Sequence, residues 1–369
     1  MTTRSEHGPL IARRYKSVPA PPRPSSKSTH TSHAQSCSPP YPLPIAPQPR
    51  PPPPPPPPPP RDRPSIVARM AAPAPALDSS PLYAAATAFA AQSLRGRAAL
   101  VTGASKGIGA GIARRLAALG ARVVVNYWSD EPGARAAAAA INADYAASPA
   151  HVKEEEGEGG TEPAHVRAVC VRADAASIPG SHALVAACLA AFGRLDILVL
   201  NAGIAVDCAL EETEEAAFDA NFDLHVKGPL FLCKRAAEVM SDGGRIIFLS
   251  NFATKKSTIL PSYLLFAASR GASEQLARAL AKELMPRGIT VNTVTPGIVD
   301  TPGLRERYDE NRLNFIAGIH ALKRMGRADD VAGLVGWLCG AEGAWISAAN
   351  IPVNGVRPLL PLSFESAMC

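Results

Sequence analysis

From residue 98 onward, short apolar runs alternate with longer stretches whose apolar positions recur at helical spacing. Residues 98–101 (AALV) lead into the polar, glycine-rich TGASKGIG of residues 102–109. Ile112, Leu116 and Leu119 then fall on one helical face, so the stretch predicts strand, tight turn, helix. The rhythm continues with expected strands at 121–126 (ARVVVN), 166–171, 196–200, 245–250 (RIIFLS), 288–294 and 351–353. Between them lie expected helices near 133–147, 181–192, 212–240, 264–284 and 329–339. Strands this apolar are buried on both faces, and with helices between them they predict an α/β domain built on one doubly wound parallel sheet. The acidic, Gly-rich 151–163 (HVKEEEGEGGTEP) interrupts this order and reads as a solvated loop.

Residues 1–93 do not share the rhythm. They hold ten consecutive prolines at 51–60 and scattered Ser and Thr, which predicts a disordered or polyproline II tail before a single domain at 94–356 and a short tail at 357–369. The net charge of +6 is unevenly placed: residues 1–70 carry ten basic and two acidic side chains, the remainder 28 and 30. The domain is therefore not basic, which argues against nucleic acid as a partner. No apolar run approaches membrane-spanning length, and the N-terminus lacks the apolar core of a secretory signal.

The seven cysteines are scattered without a Cys-x-x-Cys pair, which fits reduced thiols in a reducing compartment and no metal site. Cytoplasmic residence is expected. A plastid or other organelle is the alternative if residues 1–69 are a transit segment. Two further readings of the tail stay open: an upstream extension before a start at Met70, or a proline-rich docking tail.

In the glycine turn, Gly103, Gly107 and Gly109 let the backbone approach a bound group closely, while the following helix points free N–H groups and its positive dipole end into the turn. A phosphate fits there. Together with Asp174 after the third strand, Asn201-Ala202-Gly203 after the fourth, and Pro296-Gly297 with Thr301 after the sixth, this turn resembles the short-chain dehydrogenase/reductase family across 94–356.

The resemblance implies a Rossmann-like sheet binding a nicotinamide dinucleotide at its C-terminal strand edges. The turn Gly103, Ser105, Lys106, Gly107, Ile108 and Gly109 would cradle the pyrophosphate, and Asp174 would meet the adenine. Asn201, Ala202 and Gly203 would line the adenine ribose, and Pro296, Gly297, Ile298 and Thr301 would hold the nicotinamide end. At the end of the second strand stands Asn126-Tyr127-Trp128-Ser129 instead of an acid for the ribose 2′-OH, and Lys106 lies in the turn; both favour NADP(H) over NAD(H). Asp130, just beyond, leaves NAD(H) open. A homo-dimer or homo-tetramer acting on a small carbonyl or alcohol substrate is implied, with 302–320 as the lid over the pocket.

The family's catalytic Ser, Tyr, Lys and Asn are where the resemblance fails. Matching the helix by SRGASEQLARALAKEL puts Phe266 at the Tyr position and Arg270 at the Lys position, while His225 takes the Asn position. Phe has no proton to give, and Arg effectively never titrates. Ser250 is the candidate Ser, with Asn251 as the other registration. Tyr263, three residues before Phe266, is a candidate displaced proton donor or simply a helix-start aromatic, and His225 is a second candidate donor. Two functions follow: a slow NADP(H)-dependent carbonyl reductase or alcohol dehydrogenase, or a nucleotide-binding pseudoenzyme acting as sensor or hetero-oligomer partner. Ala348 and Val356 also stand where the family commonly has glycine.

Overall fold

Period-two alternation divides each central strand between two apolar faces, and this places the whole sheet in the interior. The computed structural model describes residues 93–147, 166–206, 208–255, 259–318 and 320–355. In β1 (Ala98–Val101), β2 (Arg122–Tyr127) and β4 (Ile197–Leu200), Ala99, Val101, Val123, Val125, Ile197 and Val199 point to one core. Ala98, Leu100, Val124, Leu198 and Leu200 point to the other. With β3 (Ala168–Arg172), β5 (Arg245–Leu249), β6 (Thr290–Pro296) and β7 (Asn350–Val353) they form a seven-stranded sheet in the order β3-β2-β1-β4-β5-β6-β7. Every pairing is parallel.

One face is covered by α1 (Gly107–Ala118), α2 (Glu131–Ala146) and α9 (Ala328–Cys339) through Ile112, Leu116, Ile141, Val335 and Leu338. The other is covered by α3 (Ile178–Phe192), α5 (Gly228–Val239) and α6 (Leu264–Leu284) through Leu184, Leu232, Ala277 and Ala281. The strand order reverses between β1 and β4, and open α/β sheets gather ligands at such a crevice. The α2 start is fixed by Asp130, whose Oδ1 accepts the Gly133 N–H at 3.1 Å, and the α3 start by Ser177, whose Oγ accepts the Gly180 N–H at 3.0 Å.

Most boundaries shift by one to three residues from expectation, and three differences bear on the site. The helix expected over 212–240 starts at Glu215 as α4 (Glu215–Phe222) and reaches α5 through one π-helical turn, Asp223–Lys227. Pro229 explains the widening, because it has no N–H for the carbonyl of residue 225 four positions earlier. The 302–320 lid segment forms α7 (Pro302–Arg307) and α8 (Glu310–Gly318). The fifth strand ends at Leu249, one residue early. The proline run, Met70, the acidic patch 151–163, Val356, the tail 357–369, Cys37 and Cys369 lie outside the described residues.

Ala348 adopts φ +60°. In that left-handed conformation a Cβ crowds the following carbonyl, so Ala348→Gly is expected to stabilise the fold by about 0.5–1 kcal/mol and raise the thermal midpoint by roughly 2–4 °C in calorimetry. A lowered midpoint would contradict this. Among the described residues no helix is long and apolar enough to cross a membrane.

Candidate active site

The glycine turn is braced from three strands. Gly103 holds φ +60°. Its N–H donates to Asn126 Oδ1 at 3.1 Å, and Asn201 Nδ2 donates to the Thr102 and Gly103 carbonyls, both at 2.9 Å. The Thr102 hydroxyl accepts the N–H groups of Asn201 and Ala202, both at 3.0 Å. The ends of β1, β2 and β4 are thus locked together at the switch point. Beyond the turn, α1 begins at Gly107 with no side-chain cap and no acid in its first turn. Its orphan N–H groups fit an anion, so the residues present suit a dinucleotide's phosphates.

Other expected cofactor residues have internal partners. Asn126 is buried, and its Nδ2 donates to the carbonyls of Tyr127, Val171 and Ala173. Its amide shapes the turn from beneath. Asp174 Oδ1 accepts the Ala176 N–H at 2.9 Å, forming the turn that leads into α3. Ser105 is half-buried at the turn's tip, and Lys106 beside it is exposed, its Nζ 3.6 Å from Glu306 Oε1 on α7.

A cavity of about 310 Å³ opens beside this frame. Ile108, Asn201, Pro296, Gly297, Ile298 and Thr301 line it from the cofactor side. Ser250 and Asn251 line it from just beyond β5, Tyr263, Phe266 and Arg270 from α6 and its N-cap, and the α7–α8 segment contributes Leu304, Arg307, Tyr308, Arg312 and Ile316. The expected catalytic set therefore shares one cavity, except for His225, which lies behind it. Tyr263 is the N-cap of α6, and its ring centroid sits 6.0 Å from that of Phe266.

Each candidate can be followed proton by proton. His225 Nδ1 lies 2.8 Å from Ser269 Oγ, Ser269 Oγ donates to the Phe266 carbonyl, and His225 Nε2 accepts the Ile204 N–H at 3.2 Å. That network is complete with a neutral ring protonated at Nδ1. Burial, with the Arg270 charge alongside, lowers the His225 pKa to about 2. This arrangement disfavours His225 as a proton donor near neutral pH. Arg270 packs hard against Gly203, where a Cβ would lie 1.9 Å from Nη2, and its Nη1 donates to the Leu249 carbonyl at 2.7 Å. Burial lowers its pKa to about 10, which leaves it cationic at neutral pH.

Ser250 Oγ donates to Glu274 Oε1 at 2.6 Å. Its single proton is spent there, so the hydroxyl is not a donor toward a substrate in this geometry. Glu274 was not among the expected residues. It is buried, and it also receives Thr254 Oγ1 and the Lys255 ammonium, the latter at 2.8 Å. Burial alone would raise its pKa, but the hydrogen bonds from Lys255, Ser250 and Thr254 and the Lys255 charge outweigh that and hold the carboxyl below its ordinary value. Asn251 Oδ1 accepts the Ala253 N–H at 2.9 Å, which fixes the turn after β5.

Residues 150–355 match the family model described as Enoyl-(Acyl carrier protein) reductase. An uncharacterized oxidoreductase of Methylorubrum extorquens is 37% identical over 265 residues, covering 71% of this chain and 98% of that protein. The NADPH-dependent aldehyde reductase-like protein, chloroplastic, of Arabidopsis thaliana is 37% identical over 268 residues, 71% of this chain and 94% of its own length. Among solved structures, a short chain dehydrogenase from Burkholderia cenocepacia J2315 in complex with NADP aligns with a TM-score of 0.61 at 34% identity, over 71% of this chain and 98% of that one.

Proposed function

We propose that this chain, which belongs to the short-chain dehydrogenase/reductase family, is a slow NADP(H)-dependent reductase of aldehydes or ketones, able to run the reverse alcohol oxidation. At the coarser level it is an oxidoreductase of the type acting on CH–OH and C=O groups with NAD or NADP. The observation that carries the finer reading is that one cavity joins the cofactor frame, through Asn201, Pro296 and Thr301, to Phe266 and Arg270 where a phenol and an amine are needed. When bound, the reduced dinucleotide supplies hydride.

What this chain's residues do with the developing oxyanion decides the rate. Arg270, cationic and with its Nε lacking a hydrogen-bond partner among the described residues, can hold that oxygen's charge but keeps its own protons. Phe266 excludes water and donates nothing. Tyr263, on the same wall, is the phenol we assign as displaced donor. Its position one turn early is the reason turnover is expected to be low, since catalytic geometry loses about 10²-fold for misplacement of about 1 Å. A second reading, a pseudoenzyme that binds the dinucleotide without turnover, is favoured by the spent proton of Ser250 and the neutral ring of His225.

The preference for NADP(H) is supported by Asp130, whose carboxylate caps α2, leaving Lys106 and Ser129 at the edge where a 2′-phosphate would lie. Fluorescence titration is expected to show NADPH binding at least about tenfold tighter than NADH. Tighter NADH binding overturns the assignment, and uptake of neither overturns the oxidoreductase reading. Exposed Phe218, Leu230 and Leu264 on α4, α5 and α6 support assembly as a homo-dimer or homo-tetramer. We assign the chain to the cytoplasm, with a plastid as the alternative if residues 1–69 direct import.

A further inference from the structure

Arg270 is a buried cation without a counter-ion. It is 8% exposed, and among the described residues no carboxylate pairs with it. Its Nη1 donates to the Leu249 carbonyl at 2.7 Å and its Nη2 is pressed against Gly203, so the guanidinium is wedged between the C-terminal ends of β4 and β5. The Phe266 ring, centred 5.7 Å from Cζ, offers the cation a π face but no charge. Burial lowers the Arg270 pKa only to about 10, which leaves the guanidinium protonated at neutral pH.

The surroundings bring no negative charge to offset it. No Asp or Glu is among the described residues lining the cavity, and the other two charged side chains there, Arg307 and Arg312, are basic. Glu274, one helical turn beyond Arg270 on α6, is committed to Lys255 at 2.8 Å and to the Ser250 and Thr254 hydroxyls. His225 is neutral, and the Arg270 charge is one of the causes. The field of Arg270 is thus felt through the packed interior, and it extends into a mainly apolar cavity where it is screened less than at an open surface.

That cavity is shared with Pro296, Gly297, Ile298 and Thr301, the residues proposed for the nicotinamide end. The two redox states of a nicotinamide differ in charge: the oxidised ring carries one positive charge and the reduced ring none. Phosphates, riboses and adenine are the same in both. Contacts at the glycine turn therefore cancel when the two forms are compared, and what remains is the ring near an unbalanced cation.

We infer that this site distinguishes the redox state of its dinucleotide, taking up the reduced form in preference to the oxidised one, and that Arg270 is the specificity-determining residue. This rests on the dinucleotide-binding part of the proposed function and gives it a direction. Reduction starts from the form the site favours and ends on the form it repels, so the spent dinucleotide leaves readily. Alcohol oxidation must start from the disfavoured form and is expected to need a higher dinucleotide concentration. In a chain without turnover, the same preference makes occupancy follow the ratio of reduced to oxidised dinucleotide.

The test is calorimetric titration of the full chain with NADPH, with NADP⁺ and with 2′,5′-ADP, which keeps a 2′-phosphate and a 5′-phosphate but has no nicotinamide. NADPH is expected to bind about tenfold more tightly than NADP⁺, a difference that one unit charge supplies at an effective dielectric constant of about 20. Arg270→Met is expected to bring the ratio to about one, with the change falling on NADP⁺, whose affinity rises, and with 2′,5′-ADP unaffected. Arg270→Lys, which keeps the charge, is expected to keep the preference. Arg270→Gln, neutral but still a hydrogen-bond donor, is the second variant where the Met variant loses 2′,5′-ADP. Weakening of all three ligands in both neutral variants is what a merely structural role would give, and it overturns the inference. Equal or tighter binding of NADP⁺ by the unmodified chain, or a preference that survives loss of the charge, overturns it as well and leaves the reductase reading standing. Uptake of none of the three by the unmodified chain overturns the dinucleotide reading and the inference with it.

Discussion

The double substitution Phe266→Tyr, Arg270→Lys is expected to raise kcat for aldehyde reduction by about 10²-fold, the lower end of what a positioned general acid contributes. The gain has a definite structural source. Phe266 already lines the cavity with its ring edge-on to Tyr263 and His225, at centroid distances of 6.0 and 5.8 Å, so a hydroxyl added at its tip needs no new backbone position. Arg270 sits one helical turn later with its Cζ 5.7 Å from the same ring. Lysine in its place puts a titratable ammonium beside the new phenol and favours the phenolate, lowering a pKa that is about 10 when unperturbed. Phe266→Tyr alone is expected to give part of the gain, since a cation is already present. Arg270→Lys alone is expected to give none, because residue 266 itself still carries no phenol to respond. The measurement is steady-state NADPH oxidation with the pH profile of kcat, in which the double variant acquires a new ionisation. In the unmodified chain, Tyr263→Phe is expected to remove the residual turnover. Unchanged turnover in the double variant, with NADPH affinity intact, would sink the claim that the missing phenol limits the chemistry.

The strand–turn–helix frame was legible in the chain because its two periods differ so plainly: β1 to β5 are mainly apolar runs, and the helices between them repeat Ile, Leu and Ala at helical spacing. The lid was not, because α7 and α8 have six and nine residues of mixed composition, too few turns for a periodic signal. Thr301 fixes the start of α7 by accepting the Leu304 N–H at 3.3 Å, a cap that the cofactor role expected of it had obscured. The orientation of Ser250 was available from parity and was missed. Ile246 and Phe248 face the core beneath α6, whereas Ile247 and Leu249 face the other. Ser250 continues the even series and so turns toward α6, where Phe266, Arg270, Glu274 and Ala277 form a buried stripe. An acid on that stripe was the readable sign of a buried acceptor. His225 was harder, because its neutral state depends on Ser269 and the Ile204 N–H, brought to it by α6 and the β4 exit.

Gly109→Ala is expected to abolish the thermal stabilisation expected from added NADPH, and to destabilise the chain even without ligand. A Cβ at residue 109 would stand 2.4 Å from the Gly103 carbonyl oxygen and 2.5 Å from Asn201 Nδ2. Those are the two ends of one hydrogen bond, and neither can yield cheaply. The Asn201 amide also holds the Thr102 carbonyl, and Gly103 is tethered to Asn126. Overpacking of this kind costs about 1–3 kcal/mol, and here it spreads the turn that positions the α1 N–H groups. NADPH affinity is therefore expected to fall by about 10²-fold or more, equivalent to the loss of two charge-assisted hydrogen bonds. Differential scanning calorimetry with and without NADPH separates the effects: the midpoint without ligand falls, and the ligand-dependent rise disappears. Gly271→Ala is the matched control, because a Cβ there meets nothing within 4 Å inside α6, and the exchange is expected to stabilise the chain by up to about 1 kcal/mol. If Gly109→Ala left the NADPH-dependent rise at its original size, the phosphates would have to bind somewhere other than this turn.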